Sequence, residues 1–161
     1  MTKPVVDTGL SVLFDLFAAF QRMKALLGEV MVDSPLRPEE YAVYSVVFEL
    51  GPLTPTATAT VLGMPVTTVL DHVRLMGKRG HISQHLNPAD GRSYLISLTP
   101  DGLTSQRDAG RAFNHALGLM VDHLDAEPGE VSKAIKDLSQ ALDRARDRAD
   151  PSSQREGDQH P

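Results

Sequence analysis

Thr67, Thr68, Asp71, His72, Arg74 and Lys78 lie close together in one short stretch of the chain. On a helix, at about 100° per residue, Thr68, Asp71, Leu75 and Lys78 fall on one side, with Thr67, His72, Arg74 and Arg79 at its margins. Val66, Val69, Leu70, Val73, Met76 and Gly77 share the other side, where the glycine is expected to let a neighbouring element approach. Threonine hydroxyls reach phosphates and base edges, and threonine methyls meet the thymine methyl. Arg74 suits a phosphate or, in the bidentate mode, guanine. Asp71 is the discordant group, because a carboxylate repels phosphates, although it can accept from cytosine N4. A second set, Asp90, Gly91 and Arg92, ends the turn-forming run Asn87-Pro88-Ala89-Asp90-Gly91. The first set suits a double-stranded nucleic acid.

Other chemistries find little support. The histidines, at 72, 81, 85, 115, 123 and 160, show no metal-ligand spacing on a helix. His81 and His85 share a face of an expected strand by even spacing, and His115 and His123 lie two turns apart with Asp122 beside the second. Neither a metal nor a cofactor is expected. Asp71 and His72 point about 100° apart on a helix and make a poor catalytic pair. The chain has no glycine-rich phosphate loop, no Gly-x-Ser-x-Gly elbow and no His-Glu-x-x-His, so an enzyme is not expected. The absence of cysteine excludes disulfides and thiolate chemistry.

The elements that must position these residues follow from capping and periodicity. Gly9 to Val32 reads as a helix with an unusually wide apolar stripe, including Leu13, Phe14, Phe17 and Phe20, which calls for two partners. Pro35 stops it. Pro38, Glu39 and Glu40 start a second helix that runs to Gly51. Thr54-Pro55 caps a short third helix that ends at Gly63, and Pro65 opens a fourth that ends at Lys78-Arg79-Gly80. Ile82 and Leu86 fall in one strand, and Tyr94, Ile96 and Leu98 alternate in another. Thr99-Pro100-Asp101 opens a long helix to about Leu124. Glu127-Pro128-Gly129 breaks it, and a last helix runs from Glu130 to about Arg148 with Val131, Ile135, Leu138 and Leu142 on one stripe.

The 161 residues, 41% hydrophobic, can bury a core, and the formal charge of −5 is unusual for a nucleic-acid binder. The local balance differs from the total. From Pro65 to Arg92, Arg74, Lys78, Arg79 and Arg92 outnumber Asp71 and Asp90. No uncharged apolar run approaches a membrane span and no secretion signal is recognisable, so no membrane partner and a cytoplasmic place are expected.

Two helices joined by a glycine turn and followed by a hairpin are the plan of a winged helix-turn-helix. The tip Asp90-Gly91-Arg92, followed by Ser-Tyr-Leu-Ile-Ser and Leu98-Thr99-Pro100-Asp101-Gly102, resembles the wing of the MarR family of bacterial transcription regulators. The resemblance covers about Gly9 to Arg148. It implies a mainly α fold with a small β-hairpin wing, the winged helix-turn-helix being flanked by N- and C-terminal dimerisation helices. Residues 1–34 would be the N-terminal dimerisation helix, 35–99 the DNA-binding domain and 100–148 the C-terminal dimerisation helices; residues 149–161, polar and bearing Pro, Gly and Ser, read as a disordered tail. It further implies a homodimeric, ligand-responsive repressor on a pseudo-palindromic operator. Thr67, Thr68, Asp71, His72, Arg74 and Lys78 would read DNA. Arg92 would enter the minor groove, with its guanidinium held by Asp90 across Gly91. A small aromatic or phenolic effector would be bound by residues such as Arg22, Met23, Tyr41, Tyr44 and His115. Asp71 and Leu75 depart from the family, which often has a basic and a polar residue there. That departure and the acidic total favour the alternative of a protein-interaction module that kept the fold and lost DNA binding.

Overall fold

The computed structural model of the protein describes residues 11–149. Among the described residues, six helices and one antiparallel hairpin follow in the order α1 (Val12–Val30), α2 (Pro38–Leu50), α3 (Pro55–Leu62), α4 (Val66–Lys78), β1 (Ile82–Asn87), β2 (Asp90–Leu98), α5 (Pro100–Val121) and α6 (Pro128–Ala149). The described residues divide into two compact units, one ending at Leu117 and the other beginning at Gly118, within α5.

Most helix ends follow the local chemistry of the sequence. Ser11 caps α1, its hydroxyl accepting from the Phe14 N–H at 3.4 Å. The expected start at Gly9 and the expected tail beyond Ala149 lie outside the described residues. Thr54 caps α3 by accepting from the Ala57 N–H at 3.1 Å. Gly63 then takes φ +63°, the left-handed region that glycine enters without strain, and turns the chain into α4. Pro65 is the N-cap of α4 rather than its first helical residue. α5 stops at Val121, before the expected Leu124, where a turn closes with His123 N–H donating to the Met120 carbonyl at 3.1 Å. α6 starts at Pro128, two residues before the expected Glu130, because proline and glycine are tolerated in a first turn whose N–H groups lack helical partners.

In the first unit, two buried clusters lie under α4. Met31, Leu36, Val43, Tyr44, Met76 and Ala109 form one; Val47, Ala59, Val69, Val73 and Ile96 form the other. α4 therefore contributes Val69, Val73 and Met76, spaced i, i+4, i+7, and these three fix its rotation about its own axis. Val66, placed on the same side by the helical wheel, is partly exposed because it precedes the packed turns. Gly77 also departs from expectation. A Cβ there would meet nothing within 4 Å, so no element approaches closely at that point.

The hairpin pairs Ile82 with Leu98, Gln84 with Ile96 and Leu86 with Tyr94, with an irregularity between Leu86 and Asn87. Its base is pinned twice. Leu53, in the α2–α3 connection, exchanges backbone hydrogen bonds with Ile96 at 2.8 and 3.3 Å. Thr99 donates its N–H to the His81 carbonyl at 3.0 Å and its hydroxyl to the Gly80 carbonyl at 2.8 Å. The wing thus leaves the core at a fixed angle to the end of α4.

Candidate nucleic-acid interface

With Val69, Val73 and Met76 turned inward, Thr67, Thr68, Asp71, Arg74 and Lys78 are all exposed, as the helical wheel requires. His72 and Leu75 are half-buried instead. They line a cleft of about 420 Å³ beside α4, together with Arg37, Glu39, Glu40 and Asp71. Leu75, expected on the polar side, lies at the boundary between that face and this cleft.

Asp71 is not an isolated carboxylate. Its Oδ1 accepts from Arg74 Nη1 at 2.6 Å, one helical turn away, with both side chains well exposed. The face of α4 therefore presents two threonines, a neutralised aspartate–arginine pair and Lys78, which forms no ion pair among the described residues.

At the wing tip, Asp90 opens β2 opposite Asn87. Its Oδ1 accepts the backbone N–H of Arg92 at 3.1 Å. The expected contact to the Arg92 guanidinium is replaced by this backbone turn, because the two-residue offset brings the carboxylate beside the main chain. Ala89 N–H donates to Asn87 Oδ1 at 3.0 Å, and Asn87 Nδ2 donates to Ser93 Oγ at 2.9 Å. These bonds shape the tip around exposed Gly91 and Arg92, whose guanidinium forms no ion pair among the described residues.

A polar cluster invisible to motif reading supports α4 from behind. Glu40 is 4% exposed. Its Oε2 accepts the Arg37 N–H at 2.9 Å, which closes the first turn of α2. Its Oε1 stands 3.2 Å from Arg79 Nη2, an ion pair without the alignment of a hydrogen bond. One turn along α2, the hydroxyl of buried Tyr44 meets His81 Nδ1 at 2.8 Å. Burial pushes the Tyr44 phenol above its ordinary value of 10.0; Arg79 opposes that rise and Glu40 adds to it. Together these contacts join α2 to the C-terminus of α4 and the start of the wing. His81 consequently precedes β1 and turns inward, while His85 lies within β1, exposed, beside Ser83 and Ser97 at 3.2 and 3.4 Å. The even-spacing expectation for the two histidines fails because His81 lies outside the strand. Acidic and basic residues far apart in sequence gave no signal for Glu40–Arg79.

Of the expected effector residues, Tyr41 lines one of the two clefts described and the others line neither. Tyr44 is consumed by the core, while Arg22 and Met23 on α1 and His115 on α5 are exposed and line neither this cleft nor the next. Tyr41 stacks on Phe113 at 4.9 Å between ring centres. It lines a cleft of about 430 Å³ between α2 and α5 with Phe48, Glu49, Leu103, Gln106, Arg107, Gly110, Arg111 and Asn114.

The arrangement is a winged helix-turn-helix, with α3 and α4 as the helix pair and the β1–β2 hairpin as the wing. The sequence matches no protein-family model and no curated protein. Solved structures do match the fold. A probable transcriptional regulator from Pseudomonas aeruginosa superposes with a TM-score of 0.69 at 25% identity, covering 83% of this chain and 98% of that one. BpsR of Bordetella bronchiseptica, whose DNA binding is regulated by 6-hydroxynicotinic acid, gives 0.71 at 21% identity, over 84% and 96% of the two chains. A MarR-family transcriptional regulator from Rhodococcus sp. RHA1 gives 0.62 at 20%, over 83% and 95%. The fold is that of the MarR-family winged-helix regulators.

Proposed function

We propose that the protein is a MarR-type DNA-binding transcriptional regulator that acts in the cytoplasm as a homodimeric repressor on a pseudo-palindromic operator. One observation carries the reading: packing of Val69, Val73 and Met76 exposes Thr67, Thr68, Asp71, Arg74 and Lys78 together on α4, next to a wing braced at its base and ending in exposed Arg92. α4 enters the major groove and Arg92 the adjacent minor groove. Residues 35–99 do the reading, and 1–34 and 100–148 supply the helices that join two protomers.

Two such helices would sit in successive major grooves, so half-sites one helical turn apart are expected. A small aromatic or phenolic effector is assigned to the α2–α5 cleft, where Tyr41 and Phe48 supply aromatic walls and Arg107, Gln106 and Asn114 supply polar groups. That BpsR answers to a small aromatic acid supports the assignment. A gel shift on the DNA upstream of the protein's own gene, with unrelated competitor at fixed salt, tests the reading. A retarded band that resists competitor is expected. Binding no tighter than to competitor DNA would favour the interaction-module alternative.

A further inference from the structure

The Asp71–Arg74 pair bears on what the α4 face reads, and the inference rests on the DNA-binding reading above. Exposed ion pairs contribute little to stability. With side chains 73% and 70% exposed, this one has no evident structural task. Its geometric effect is definite. A long, rotamer-rich arginine in the middle of the reading face, between Thr68 and Lys78, is held by Asp71 Oδ1 at Nη1, 2.6 Å away. A guanidinium has five donors, so those not given to Asp71 remain for an acceptor in the groove. The paired charges also cancel, which weakens attraction to phosphates and leaves that role to Lys78 and Arg92. An arginine oriented by its carboxylate partner, in a pair that is neutral overall, is suited to a base edge with two acceptors side by side, and in the major groove that edge is guanine O6 and N7.

We propose that Asp71 is a positioning residue that presents Arg74 to a guanine in the major groove, making each half-site dependent on a G·C pair under Arg74. The carboxylate contributes orientation rather than affinity. Its removal should therefore loosen sequence preference while leaving overall binding intact or slightly stronger.

The test is selection from a random duplex pool at one fixed salt concentration, using the full chain as wild type, Asp71→Asn, Arg74→Ala and the double variant. Binding is then measured to the winning site, to its single-base substitutions, and to a version with 7-deazaguanine at the preferred guanine. Both side chains are exposed, and unchanged circular dichroism melts would show that the variants fold. Wild type should prefer guanine at one position per half-site by about tenfold and should lose affinity with the 7-deaza base. Asp71→Asn should bind the pool at least as well yet lose most of that preference, and the double variant should be no worse than Arg74→Ala. Full retention of the guanine preference by Asp71→Asn, or by Arg74→Ala, would overturn the proposal while leaving DNA binding intact. A wild-type chain that selects no duplex would overturn the DNA-binding reading and this inference with it.

Discussion

Thr99 and Gly102 show how single residues set the geometry of the interface. Thr99 uses its N–H, its hydroxyl hydrogen and its oxygen at once, on the His81 carbonyl, the Gly80 carbonyl and the Gly102 N–H. Gly102 is buried with its α-carbon against the His81 backbone; a Cβ would collide with the His81 carbonyl oxygen. Gly102→Ala is therefore expected to cost roughly 1–3 kcal/mol as an overpacking change, read from urea unfolding midpoints, despite alanine's better helix propensity. Thr99, Pro100 and Gly102 were legible as a cap and as part of the wing motif, but the reason for the glycine was not. It lies in a carbonyl twenty-one positions earlier, which no local pattern reveals. Tyr44 makes a second prediction at this scale. Well below pH 10 the phenol is neutral in both folded and unfolded chains and stability is indifferent to it. As pH rises past 10, the unfolded phenol ionises first, because burial holds the folded one above that value. Stability should then fall with rising pH, and Tyr44→Phe should flatten that fall in unfolding curves recorded between pH 9 and pH 11.

At the scale of elements, two helices and a hairpin must keep a fixed mutual orientation, and the pins between them are polar. Glu40 at the start of α2 holds Arg79 at the end of α4, while Tyr44 holds His81 before β1. Glu40→Ala leaves Arg79 without its ion-pair partner. Arg79 is one-third exposed, so the loss should be roughly 2–3 kcal/mol, below that of a fully buried pair. Denaturant unfolding measures it, and Glu40→Gln, which keeps the Arg37 cap, should cost less. The wing permits an independent test of placement. Arg92→Ala touches no packing contact and should weaken binding to every operator variant by about 1–3 kcal/mol while leaving stability unchanged, as fluorescence anisotropy alongside a thermal melt would show. Elements were legible because caps and periodicity are local: Thr54, Gly63 and Pro100 stand where their turns need them. The side of α4 that faces out was legible for the same reason. The partners of its charged residues were not, since the wheel gives direction but not contact, and Asp71 read as a lone repulsive carboxylate where the structure pairs it with Arg74.

At the scale of the whole molecule, the exposed apolar surface of α1 is left unexplained by a single chain. Leu13, Phe17 and Phe20 follow one another at i, i+4, i+7 and are 59%, 60% and 49% exposed, with Val12, Phe14 and Met23 also exposed. Soluble proteins rarely leave so contiguous an apolar stripe in water, and each such side chain, about half exposed, forgoes roughly 1 kcal/mol of burial. In the second unit, Ile135 and Leu142 on α6 are exposed as well. A second copy of the chain can cover the α1 stripe, and two copies are also what the proposed two-half-site operator requires. Sedimentation equilibrium should therefore find a dimer at micromolar concentration, with no folded monomer. Phe17→Asp places a charge in the middle of the stripe and should shift the mass toward the monomer and lower thermal stability. It should also reduce operator affinity far more than it reduces binding to a single half-site. Phe17 is remote in sequence from α4 and the wing, so that contrast separates lost dimerisation from a damaged reading head. A wild-type chain that sediments as a stable folded monomer would remove the dimer from the proposed function and leave the α1 stripe to be explained by another partner.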